Sequence, residues 1–239
     1  MEITERQRDI LNNIIEEYIV SAQPISSMLI EKKYQPGVSP ATIRNEMQKL
    51  TDNGFISQPH TSAGRIPTDK GYRFFVDSLF SGKNKGFKLQ KEDVFGNGSE
   101  SWEIEDTFKI IHSLTKKLSE ESSSLALSYL FDDKIMWKEG WESLLRAPEF
   151  KEFETLSSLT SFLSFFEKDI ERVDIGSGLE VFIGEENPFG KNDDFSVIVS
   201  KCSFPKDKEG LLAIVGPKRM FYEKNINSME NIINLLNKF

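Results

Sequence analysis

Three observations predict an α+β chain in two parts. The first third carries helix-period segments followed by two short strand-type runs around a Ser/Gly-rich tip. The second half mixes amphipathic helical stripes with apolar runs of strand length, the pattern of an antiparallel sheet with helices. Between them, residues 83–101 are polar, contain glycine and carry few core-type side chains, which predicts a linker. The expected parts are therefore 1–82, a linker at 83–101, and 102–239.

Thr4-Glu5-Arg6-Gln7 is a capping box, so a first helix starts there. Ile10, Leu11, Ile14, Ile15, Tyr18 and Ile19 then make one apolar face. Pro24 stops it, and Ser26 can cap a shorter helix bearing Leu29 and Ile30. After a turn at Tyr34-Gln35-Pro36-Gly37, Ser39-Pro40 opens a third helix. Serine is an N-cap, and proline at the first helical position lacks only an N–H that would be orphaned anyway. Asn53-Gly54 ends it, since both residues tolerate the left-handed backbone of a helix C-terminus. Phe55-Ile56-Ser57 and Arg65-Ile66-Pro67 flank the tip His60-Thr61-Ser62-Ala63-Gly64, and a fourth helix runs from about 69 to 80. Three helices and a hairpin wing define a winged helix-turn-helix.

In the second half Ile104, Phe108, Ile111, Leu114 and Leu118 share a stripe. Strands are expected at 125–131, 134–138, 179–184, 195–202 and 211–216, and helices at 141–146 and 156–172. A last helix places Ile226, Met229, Ile233 and Leu236 on its apolar face.

Composition narrows the function. A single cysteine, Cys202, rules out an intrachain disulfide and a cysteine-rich metal site. With only two histidines, His60 and His112, a structural zinc is not expected. No apolar run is long enough to span a bilayer and the N-terminus lacks a secretory signal, so a cytoplasmic chain is expected. The net charge of −8 offers no bulk attraction to phosphate. It is uneven, however: within 39–73, Arg44, Lys49, Arg65, Lys70 and Arg73 outnumber Glu46, Asp52 and Asp69. Any nucleic-acid contact must be local.

On a helical wheel Ile43, Met47 and Leu50 face the core. Ala41, Arg44, Asn45 and Gln48 then lie opposite, with Thr42 and Lys49 at the flanks. Arg suits guanine, Asn and Gln suit adenine, and a small side chain suits a thymine methyl. The N-terminal end of this helix, at Ser39 and Ala41, also presents free N–H groups to a phosphate. On the wing, His60, Thr61, Ser62 and Arg65 fit backbone or minor-groove contact, and Lys70 and Arg73 could add phosphate contacts. The competing reading is a solvated face on a winged helix that serves as a protein-interaction module without specific DNA readout.

Ser21-Ala22-Gln23-Pro24-Ile25, Ser39-Pro40-Ala41-Thr42-Ile43-Arg44-Asn45-Glu46-Met47, Asn53-Gly54-Phe55-Ile56 and the run from Ser62 to Arg73 resemble the HrcA family of heat-inducible repressors. Ile183-Gly184-Glu185-Glu186-Asn187 and the run from Ile214 to Tyr222 are similar to the end of that family's effector domain. The resemblance implies a homodimer on an inverted-repeat operator of double-stranded DNA, repressing chaperone genes until heat shock. It also implies a partner, the GroE chaperonin, and a GAF-like second domain. Longer members carry an inserted dimerising domain. Here residues 125–131 pass almost directly into Lys134-Ile135-Met136-Trp137, so the second half resembles a reduced GAF-like domain that lacks the insertion and much of the early sheet. Dimerisation is then expected through the 104–118 stripe and the sheet.

Nothing in the sequence assembles catalysis, and no cofactor is expected. Glu185-Glu186 are adjacent and point different ways, which suits a solvated loop better than an acid/base pair. Gly176-Ser177-Gly178 lacks the glycine spacing of a nucleotide loop. Cys202 fits a core strand, His112 a helix surface, and Gly216-Pro217-Lys218-Arg219 a structural turn.

Overall fold

The computed structural model describes residues 3–34, 36–81, 104–176, 178–190 and 194–237. The chain divides into two compact units, Met1–Lys83 and Asn84–Phe239. The expected linker at 83–101 begins on Lys83 and otherwise falls in a stretch that, like Lys83 itself, lies outside the described residues.

In the first unit, α1 (Glu5–Ser21) starts where its capping box requires. Thr4 Oγ1 accepts from the Gln7 N–H at 3.3 Å and Gln7 Oε1 accepts from the Thr4 N–H at 3.0 Å. The helix α2 (Ser27–Tyr34) is capped by Ser26, whose Oγ accepts from the Leu29 N–H at 3.2 Å. Ser39 caps α3 (Pro40–Asp52) through the Thr42 N–H. At its far end Gly54 turns left-handed, with φ +76°, while Asn53 stays right-handed. The wing pairs β1 (Ile56–Ser57) with β2 (Ile66–Pro67) antiparallel, and α4 (Asp69–Ser81) follows. Ile10, Leu11, Ile14 and Ile15 of α1 pack with Ile43, Met47 and Leu50 of α3 and Val76 of α4 in a core closed to solvent.

The second unit is built on a five-stranded antiparallel sheet in the order β4-β3-β7-β6-β5. Its strands are β3 (Leu125–Leu130), β4 (Ile135–Glu139), β5 (Glu180–Ile183), β6 (Phe195–Phe204) and β7 (Lys208–Pro217). The helices are α5 (Ile104–Ser122), α6 (Trp141–Leu145), α7 (Phe153–Asp169) and α8 (Tyr222–Leu236). Every residue of β3 is buried, because successive side chains go to opposite faces and both faces are covered. Leu125, Leu127 and Tyr129 join Val197, Leu211 and Ala213 in a cluster with Phe162 and Phe166 of α7. On the other face the Ser128 and Thr115 hydroxyls share a hydrogen bond, and Ser196 bonds Tyr222, which places α5 and α8 there. The unit is thus a three-layer sandwich. Residues 131–134 form a tight turn between β3 and β4, with no inserted domain at that join.

This packing corrects two expectations. Ile111, Leu114 and Leu118 of α5 are closed to solvent within a single chain and Phe108 is half-buried, so most of the stripe assigned to dimerisation packs into the chain's own core. On α8 the face turned inward carries Ile232 and Leu235 with Met229 and Leu236, and Ile233 is only half-buried. Phe166 is fully buried against Phe189, with ring centroids 4.4 Å apart. Phe166→Ala should lower stability by about 3–5 kcal/mol, read as a shift of the thermal unfolding midpoint.

Candidate nucleic-acid interface

The outward face of α3 is the one the wheel predicts. Ala41, Arg44, Asn45, Gln48 and Lys49 are exposed, and Thr42 is half-buried. The Ser39 and Thr42 hydroxyls lie 3.0 Å apart and hold the first turn, so both act on the helix start before any ligand arrives. Glu46 fixes the helix to α1: its Oε2 accepts from Gln7 Nε2 at 2.8 Å, and its Oε1 from Lys49 Nζ at 2.8 Å. The Lys49 hydrogen bond holds the Glu46 carboxyl below its ordinary value; burial opposes this, and Gln7 adds to the lowering. A lowered folded value means the linkage stabilises fully above the ordinary carboxylate range and is lost as pH falls through it. Glu46→Gln should therefore flatten the acid limb of the stability curve, measured by thermal unfolding at stepped pH.

The wing is tied to α3 and to the segment before α2. Ile25 and Arg65 exchange both backbone hydrogen bonds at 2.8 Å, adding a third strand-like segment beside the hairpin. The half-buried Arg65 side chain donates to Thr51 Oγ1 at 3.1 Å and to Gln48 Oε1 at 3.2 Å. Gln48 in turn donates to Asp52 Oδ1 at 2.8 Å. Arg65 and Gln48 thus engage each other, a cross-link that spacing along the sequence does not reveal. His60, Thr61 and Ser62 form an exposed tip, braced by Gln58 Nε2 donating to the Thr61 and Ala63 carbonyls at 2.9 Å.

The other two cations expected to meet phosphate have protein partners. Lys70 Nζ donates to the Asn53 carbonyl at 2.8 Å and sits 4.6 Å from the Phe55 ring centroid, closing the end of α3. Half-buried Arg73 pairs with Asp77 at 3.4 Å. By contrast, no described residue forms a hydrogen bond or ion pair with the Arg44 or Asn45 side chains, as the hydrogen bonds and salt bridges around α3 make plain.

The winged-helix profile described as "Winged helix-turn-helix transcription repressor, HrcA DNA-binding" matches residues 2–78. The profile described as "HrcA protein C terminal domain" matches residues 88–226, more than half of the chain. The chain belongs to the HrcA family. A heat-inducible transcription repressor HrcA of Prosthecochloris aestuarii is 61% identical over 79 residues, which is 33% of this chain and 22% of that protein. One from Chlorobium chlorochromatii is 40% identical over 137 residues, 55% of this chain and 39% of that protein. The matched part of this HrcA-family chain thus spans well under half the length of those curated relatives. A solved structure of a hypothetical protein has the same fold, with a TM-score of 0.81 at 21% identity over 99% of this chain and 98% of that one.

The remaining constellations of this HrcA-family chain are structural. Glu186 Oε2 accepts from the Ile183 N–H at 3.2 Å in a short helical turn. Arg219 meets Glu149 with two nitrogens, which pins the turn after β7. Burial pushes the Cys202 thiol far up, so it stays protonated. His112 lies on the surface of α5 and contacts Glu139 at 2.7 Å. Among the described residues no group of three or more His, Cys, Asp or Glu is placed to hold a metal, and no helix is long and apolar enough to cross a membrane.

Proposed function

We propose that this chain is a sequence-specific DNA-binding repressor of chaperone genes. The observation that carries the reading is the outward face of α3, where Arg44 and Asn45 stand exposed beside a braced wing, with no partner among the described residues. A helix of this size enters a major groove, and its first turns meet the base edges. The names of the curated relatives support heat-inducible repression. One short helix reads only a few base pairs, so a homodimer on an inverted repeat is the natural arrangement. Ile111, Leu114 and Leu118 of α5 and both faces of the sheet are covered within one chain, which favours a dimer contact on another surface. The family resemblance supports a cytoplasmic setting and the GroE chaperonin as a partner.

The protein-interaction reading has no specific observation in its favour. Deleting the gene should raise transcripts of the chaperone genes at the normal growth temperature. Transcripts unchanged by the deletion would count against repression.

A further inference from the structure

A cleft of about 330 Å³ lies between the start of α2, the side of α3 and the wing tip. Its walls include Ser26, Ser27, Arg44, Ser62 and Arg65, and not one lining residue is acidic. Two of these groups point to an anion. The Arg44 guanidinium is exposed, and no described residue pairs with it. Ser27 is 8% exposed, and no described residue bonds its hydroxyl. The residue is thus largely buried while its side chain lines the cleft, which leaves the hydroxyl free to meet a ligand there. The cleft also meets the N-terminal end of α2. Ser26 there caps the Leu29 N–H, while the first N–H groups of the helix have no intrahelical acceptor. Helix ends of this kind favour negative charge.

We propose that this cleft seats one backbone phosphate of the DNA duplex, held by the Ser27 hydroxyl, the Arg44 guanidinium and the first N–H groups of α2. The proposal rests on the DNA-binding reading above and deepens it. Ser27, which the sequence did not single out, becomes a contact, and Arg44 takes a phosphate on the strand bordering the groove while its neighbour Asn45 continues to the bases. A phosphate contact carries no sequence information but fixes register, so α2 sets where α3 lands.

The test uses the full chain and a duplex bearing the inverted repeat upstream of its own gene. Neutral methylphosphonates are placed singly along each strand, and affinity is followed by fluorescence anisotropy. Wild type should lose about tenfold at one position per half-site, the scale of a charge-assisted hydrogen bond. Ser27→Ala should bind the unmodified duplex about tenfold more weakly, and its further loss on the methylphosphonate at that position should be smaller than that of wild type, because Arg44 and the α2 N–H groups still meet the phosphate. Ser27→Cys fills the position with a slightly larger side chain and a weaker donor, and should show the same reduced methylphosphonate effect, which separates lost contact from lost packing. Undiminished affinity of Ser27→Ala, or a methylphosphonate effect in it as large as in wild type, would overturn the proposal. Stabilisation of the chain against heat by inorganic phosphate, without any sensitive methylphosphonate position, would assign the cleft to a free anion and overturn it too. Failure of wild type to bind the repeat at all would instead remove the DNA-binding reading itself.

Discussion

Asn45→Ala is expected to leave the winged helix folded and to remove much of the preference for the inverted repeat. The side chain is exposed and has no partner among the described residues, so its loss should change stability by no more than about 0.5 kcal/mol. An amide that bonds an adenine edge contributes about 1–3 kcal/mol of discrimination, and a dimer makes the contact twice. Arg44→Ala should behave differently. It should weaken repeat and scrambled duplex alike and lower the salt dependence by about one counterion per half-site. Gln48→Ala should do less than Asn45→Ala, because both amide atoms of Gln48 are already engaged by Arg65 and Asp52. Anisotropy titrations of the three variants on repeat and scrambled duplexes at several salt concentrations separate these outcomes. Equal loss of discrimination in Asn45→Ala and Arg44→Ala would contradict the division of roles.

The second large effect is expected at Gly64. A Cβ there would lie 2.5 Å from the Ile25 carbonyl carbon and 2.7 Å from the Ile25 nitrogen, all of it backbone that cannot step aside. Gly64→Ala must therefore push apart the Ile25–Arg65 bridge with its two hydrogen bonds. Overpacking and two lost bonds together cost about 3 kcal/mol. The wing would also lose its fixed position beside α3, so affinity for DNA should fall with stability. Thermal unfolding and duplex binding check both limbs. A Gly64→Ala chain that melts and binds like the parent would show that the wing does not need this close approach.

What was legible in the sequence were the local signals. The capping box at Thr4, the Ser39-Pro40 start and the outward face of α3 follow from interactions within a few residues, and each recurs in the structure. The cross-links of the interface were not legible. Ile25 meets Arg65, and Arg65 meets Gln48, over separations of 40 and 17 residues, which no periodicity encodes. The sequence left Lys70 open to a phosphate contact because its acceptor is a backbone carbonyl of another element. Ser27 was passed over because a serine at a helix start resembles an ordinary cap, and only its burial beside Arg44 sets it apart. In the second unit, a stripe on α5 looks the same whether it covers another chain or its own sheet. The structure decides for the sheet, through the bond between Thr115 and Ser128 and the closed core around Leu114.

The central claim is that the face of α3 reads one DNA sequence in two-fold form. The direct measurement is an anisotropy titration of the full chain on the inverted repeat from upstream of its gene, against a scrambled duplex and a single half-site, at one fixed salt concentration. The account predicts that the repeat binds at least about a thousandfold more tightly than the scramble, with two chains per duplex and a much weaker half-site. Equal affinity for repeat and scramble would contradict it.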